Sequence, residues 1–145
     1  MSSMRLSLDQ IKKDLQPLSK YEVVIFGSYV TGEFRKGSDI DVAVITRIRD
    51  ERQNFAILKE LIGNVKPVYD VRIFELLPLK VKASIIENHI VVFGDELEIS
   101  EYFYFWRKFW EDVKHRISYH DSYREKLEAI ERGRRISKRL KSLEL

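Results

Sequence analysis

At 145 residues, with 44% hydrophobic and 34% charged positions, the chain is long and apolar enough for one packed domain, which excludes wholesale disorder. It has no cysteine, so disulfides and thiolate metal sites are excluded as well. The net charge of +3 is uneven: residues 1–100 hold 14 Lys/Arg against 15 Asp/Glu, and residues 101–145 hold 12 against 8.

The N-terminal stretch MSSMRLSLDQIKKDLQ carries Asp9, Lys12, Lys13 and Asp14 where a signal peptide needs an apolar run. No segment approaches the ~20 apolar residues that cross a bilayer. A soluble, cytoplasmic protein without membrane attachment is the expectation.

Leu8, Ile11, Leu15 and Leu18 recur at helical spacing behind Ser7, a residue suited to an N-cap, so residues 7–16 are predicted helical up to Pro17. Tyr21–Phe26 (YEVVIF) is a β-branched and aromatic run stopped by Gly27, and reads as a strand. A short helical turn from Ser28 and a loop punctuated by Gly32, Gly37 and Ser38 follow. Residues 39–46 (DIDVAVIT) form a second predicted strand, apolar on both faces in its later part, as in a strand covered on both sides. Residues 50–63 fit a helix with Phe55, Leu58 and Ile62 on one face. Val68–Phe74 is a third strand, Leu79–Asn88 a helix opened by Pro78, and Ile90–Phe93 a last strand closed by Gly94. This alternation predicts an α/β (α+β) fold, a mixed β-sheet flanked by helices.

The composition changes near Glu96. Beyond it there is no proline, and glycine appears only at Gly133. Val113, Ile117, Leu127, Ile130, Ile136, Leu140 and Leu143 fall at spacings compatible with helix, behind an aromatic cluster that runs from Tyr102 to Trp110. The division expected is a domain over 1–98 and a helical C-terminal extension over 99–145. So short an extension cannot form its own core, so its aromatics must pack on the domain or on a second copy, making a homo-oligomer through this segment one outcome. The basic excess leaves contact with RNA or DNA open, but interleaved acidic residues favour a solvated helix surface.

Two features of the strands bear on chemistry. Asp39 and Asp41 are two apart, so both side chains project to one face, where paired carboxylates repel each other unless a cation lies between them. Hard oxygen ligands select Mg²⁺ or Mn²⁺. Asp70 interrupts a different apolar strand, a position that seldom holds an unpartnered aspartate. If the third strand lies beside the second, the three carboxylates can converge on one metal centre. Upstream, Gly27 and Ser28 end a strand and open a helical turn, an arrangement that offers backbone N–H groups to phosphate without a bulky side chain in the way. His89, His115 and His120 have no spacing that suits a shared metal face and read as structural or exposed.

The segment FGSYVTGEFRKGSDIDVAVI resembles the signature of the DNA polymerase β-like nucleotidyltransferase superfamily, and most of all its minimal nucleotidyltransferases, the antitoxin-like branch. The pattern is G-S, ten residues, D-x-D, then a third carboxylate on a later strand. Gly27, Ser28, Asp39, Asp41 and Asp70 match it position by position, and the resemblance covers about residues 20–95. It implies the nucleotidyltransferase fold and two Mg²⁺ ions, with Mn²⁺ an alternative, held by Asp39, Asp41 and Asp70. It further implies ATP or another NTP as co-substrate, anchored by Gly27 and Ser28, and release of pyrophosphate.

Thr31 departs from the arginine that many minimal members carry in G-S-x-x-R-G, leaving Arg35 and Lys36 either as substitutes for the lost triphosphate contact or as exposed loop cations. By the same resemblance the acceptor is a tyrosine on a separate HEPN-type toxin, because the extension is too short to be a fused HEPN domain and Arg116 and His120 do not meet that family's R-x(4–6)-H spacing. Transfer to a small hydroxylated molecule and a catalytically weak nucleotide-binding module are the alternatives.

Overall fold

The computed structural model describes residues 6–33 and 37–116. Helix α1 spans Leu8–Asp14; the Ser7 hydroxyl accepts from the Gln10 N–H at 3.2 Å and caps it, as the sequence suggests. Ile11, Leu15 and Leu18 of the expected stripe are buried, while Leu8 in the first turn stays exposed. Pro17 lies in a 3₁₀ turn, Gln16–Leu18, that ends the helical segment.

Four strands follow: β1 Glu22–Phe26, β2 Ile40–Ile45, β3 Tyr69–Ile73 and β4 Ile90–Phe93. They form one mixed sheet in the order β3-β2-β1-β4. β1 runs antiparallel to both β2 and β4, and β2 is parallel to β3. The parallel pair needs a crossover, which helix α3 (Glu51–Ile62) provides. β2 is interior on both sides and is buried at every position but Asp41.

The period-2 alternation of the strands sorts the core into two layers. Val23, Ile25, Ile40, Val42, Val44, Tyr69, Val71 and Ile73 face α1 and α3 with Ile11, Leu15, Leu18 and Leu61. Val24, Ala43 and Ile45 face the other way, under α4 (Leu79–Glu87) and α5, which begins at residue 96. Each buried Val, Ile or Leu contributes about 1.5–3 kcal/mol.

The apolar stripe of α3 turns inward only in part, with Leu58 packed against the core. Phe55 and Ile62 are 58% and 53% exposed, and the buried residues are Asn54 and Leu61. The physical reason is a polar network that turns the helix. Asn54 Nδ2 donates to the Ile48 carbonyl (2.8 Å), and its Oδ1 accepts from the Thr46 hydroxyl (2.7 Å). Turning Phe55 inward would pull Asn54 out of both bonds and leave buried polar groups unpaired.

Glu75, in the 3₁₀ turn Phe74–Leu76 after β3, is the hub of a second network. Its carboxylate accepts from the Thr46 and Arg47 backbone N–H groups (3.1 and 2.9 Å) and the Tyr102 hydroxyl (2.7 Å), and it shares the Thr46 hydroxyl (3.2 Å) with the nearer Asn54. Arg47, at φ 60°, pairs with Glu22 and lies over the Tyr102 ring at 4.6 Å. The aromatic cluster of the sequence is thereby divided. Ile99 and Phe103 are buried and Tyr102 and Trp106 pack against the same cluster, with Phe103 5.0 Å from Phe74 between centroids. Tyr104, Phe105 and Phe109 are exposed.

The chain divides into compact units at Met1–Arg107 and Lys108–Leu145, and the start of α5 falls in the first. Residues 108–116 are helical, and the periodic positions from Ile117 to Leu143 lie outside the described residues. Among the described residues, no helix is long and apolar enough to cross a membrane.

Candidate active site

Parallel pairing of β2 and β3 sets Ile40 against Tyr69 and Asp41 against Asp70. The two carboxylates therefore stand side by side on the α4/α5 face, at the end of the sheet where the strands begin. Antiparallel pairing sets Phe26, the last residue of β1, against Asp41 on the other side. Gly27 follows immediately at φ 75°, and a Cβ there would collide with the Asp41 carboxylate. Glycine is thus required twice, by its left-handed backbone and by the closeness of the carboxylate. Ser28 begins the four-residue helix α2, Ser28–Thr31, whose first turn has N–H groups with no acceptor inside the helix. The Gly27 carbonyl accepts from Val30 and Thr31, fixing that turn against the end of β1.

Asp41 is the half-buried centre of the site. Burial pushes its carboxyl above the usual carboxylate range, and the Asp70 charge pushes it the same way. The Asp39 charge adds to the rise, and the Arg72 guanidinium opposes it. Asp39 itself is exposed, one residue ahead of β2.

The structure thus brings Asp41 and Asp70 together, with Asp39 near enough for its charge to reach Asp41. Among the described residues it does not gather three acidic or histidine side chains into a closed metal cluster. The donor set nevertheless fits a hard divalent cation. All its atoms are carboxylate oxygens, and the mutual repulsion that raises the Asp41 carboxyl is what such an ion relieves.

Arg72 was not singled out from the sequence. Its Nε and Nη2 donate to the two oxygens of Asp70 at 3.1 and 3.3 Å, and Asp70 in turn raises the guanidinium's already high pKa. The available signal was its position two residues after Asp70 on one strand, which puts both side chains on the same face. Arg35 and Lys36 lie outside the described residues. His89 reads as structural: its Nδ1 is 2.9 Å from the Ile85 carbonyl and its ring packs edge-on against Phe103.

On the opposite face, Tyr69 donates its hydroxyl to Asp14 Oδ2 at 2.6 Å, and Lys66 and Gln10 donate to Asp14 Oδ1. The strand that presents Asp70 is thereby fixed to α1. The hydrogen bond from Tyr69 holds the Asp14 carboxyl below its ordinary value, and burial together with Asp14 drives the Tyr69 phenol well above its own.

The chain belongs to the nucleotidyltransferase domain family, whose model matches residues 8–143. It is 43% identical over 97 residues, covering 67% of this chain and 75% of the other, to a Methanocaldococcus jannaschii protein named provisionally as a protein adenylyltransferase.

Among solved structures, its fold is similar to that of a chain in a crystal structure of a toxin–antitoxin with AMP-PNP, at a TM-score of 0.63 and 16% identity, covering 81% of this chain and 97% of that one. It is also similar to a chain in the complex of a tri-AMPylated Shewanella oneidensis HEPN toxin with an MNT antitoxin, at a TM-score of 0.56 and 14% identity, covering 79% of this chain and 92% of that one.

Proposed function

We propose that this protein transfers AMP from ATP to a hydroxyl group of a partner protein, in a reaction dependent on Mg²⁺. The observation that carries the reading is the in-register pairing of Asp41 with Asp70 beside the Gly27 turn. The provisional name of the M. jannaschii relative supports adenylyl transfer to protein, and the AMPylated HEPN toxin in a complex of similar fold supports a tyrosine of a HEPN-type toxin as the acceptor, with this chain as its antitoxin.

In this reading Asp39, Asp41 and Asp70 hold the metal, with two ions as the working stoichiometry. Bound there, the metal supplies neutralisation of the triphosphate and a lowered pKa for the acceptor hydroxyl. The remaining chemistry belongs to the chain. The Gly27–Ser28 turn binds the β- and γ-phosphates through backbone N–H groups, so the α-phosphate is left open to in-line attack. Asp70, at the mouth of the pair, accepts the acceptor's proton. Gly27, having no side chain, lets the triphosphate approach Asp41 closely.

The test is incubation of the full chain with α-labelled ATP, Mg²⁺ and a HEPN-type protein encoded beside it. Label is expected on a tyrosine of that protein, with pyrophosphate released. Label that appears only on RNA or on a small molecule refutes the protein acceptor; nucleotide binding without any transfer refutes the enzyme reading.

A further inference from the structure

The described part of the phosphate loop, Gly27-Ser28-Tyr29-Val30-Thr31-Gly32-Glu33, contains no cation, although a triphosphate bound there carries several negative charges. Arg72 stands at the carboxylate pair instead. Its fork takes both oxygens of Asp70, and its charge is felt at Asp41. Its cross-strand neighbour is Ala43, whose single methyl leaves the arginine room to lie along the strand toward Asp70. The Arg72 side chain is 55% exposed, so it can leave that position without disturbing the core.

Two physical consequences follow. A cation arriving at the carboxylates meets an arginine that already holds one of them and repels the newcomer. An arginine displaced from a carboxylate finds in a phosphate the same pair of anionic oxygens for its fork.

We propose that Arg72 is an exchangeable counter-ion: in the metal-free protein it holds Asp70, and when a nucleotide binds with its divalent cation it passes to a phosphate of that nucleotide, leaving Asp70 to the ion. This rests on the carboxylate site proposed above. Arg72 then acts as a nucleotide-binding and positioning residue. It also couples the two ligands, because cation binding frees the group that grips the phosphate.

The experiment measures two affinities of the full chain: for Mn²⁺ alone, by electron paramagnetic resonance of the free ion, and for ATP with Mg²⁺, by calorimetry. Arg72→Met is expected to tighten Mn²⁺ roughly three- to tenfold, because its competitor is gone. The same change is expected to weaken ATP about tenfold. Arg72→Lys, which keeps the charge and loses the fork, should fall between on Mn²⁺ and also bind ATP more weakly; it carries the test if the methionine variant does not fold.

An arginine with a merely structural role would weaken both ligands together and lower the melting temperature, and that result overturns the proposal. So does Mn²⁺ affinity that is lost in Asp41→Asn yet unchanged in Arg72→Met, which leaves the carboxylate site standing. Mn²⁺ binding that is absent, or indifferent to Asp41→Asn, overturns the carboxylate site and this proposal together.

Discussion

Asp41 and Asp70 are direct partners across the parallel β2–β3 pair, and among the described residues Arg72 answers their charge. The arrangement places an electrostatic cost inside the sheet. The Asp41 carboxyl is raised above its ordinary value by burial first and by Asp70 next, so its ionised form opposes folding. That opposition grows as pH rises from the ordinary carboxylate value through the raised one, and is constant above it. Asp41→Asn is therefore expected to abolish transfer while stabilising the fold at pH 7 by on the order of 0.5 kcal/mol, a gain limited by partial solvent exposure. The gain should vanish on acidification below the ordinary carboxylate range. Urea unfolding at pH 7 and pH 3.5 checks both parts, and a variant less stable than wild type at pH 7 would contradict the site's electrostatics.

Gly27 and Gly32 bracket the same short helix with positive φ, but only Gly27 abuts the site. A methyl group on Gly32 meets open space, so Gly32→Ala carries only the backbone strain of a left-handed residue, about 1 kcal/mol. Gly27→Ala bears the same strain and pushes the Asp41 carboxylate aside. Thermal melts should show both variants destabilised, Gly27→Ala the more, by roughly 2 kcal/mol or above. Transfer should survive in Gly32→Ala and fall at least tenfold in Gly27→Ala.

Much of this was legible in the chain because local rules and tertiary structure agree. Ser7 caps α1, Gly27 and Gly94 close strands, and the unbroken apolar run of β2 marks a strand covered on both faces. Asp70 stood out as a carboxylate in an apolar strand, and its partner depended only on β3 lying beside β2. The inner face of α3 was not legible, because Asn54 is buried through bonds to Thr46 and Ile48, and a hydrophobic stripe cannot announce those. Nor was the role of Glu75, whose donors come from a loop 29 residues upstream and a helix 27 downstream. The aromatics at the start of α5 could have served several surfaces, and among them Phe103 packs on the ring of Phe74.

Glu75 gives that attachment a measurable strength. Tyr102→Phe removes one donor and leaves the Glu75 oxygen still bonded to the Arg47 N–H, so a loss of about 1 kcal/mol is expected. Glu75→Ala strips partners from the Thr46 and Arg47 N–H groups and from Tyr102 at once, and should cost about 3 kcal/mol. Equal losses in urea unfolding for the two variants would mean that the carboxylate is not the hub its hydrogen bonds indicate.

The orientation of α3 is open to the same kind of measurement, because its apolar residues are split between two faces. Leu61 is buried in the layer with Val42 and Ile73, and Leu61→Ala should cost about 2–4 kcal/mol through lost transfer energy and the cavity left behind. Phe55 is larger but more than half exposed, and Phe55→Ala should change stability by no more than about 0.5 kcal/mol. Asn54→Ala, which leaves the Ile48 carbonyl without its donor, should cost about 2 kcal/mol despite removing no apolar surface. The inverted order, with Phe55 the most costly of the three, would return α3 to the face its hydrophobic stripe predicts.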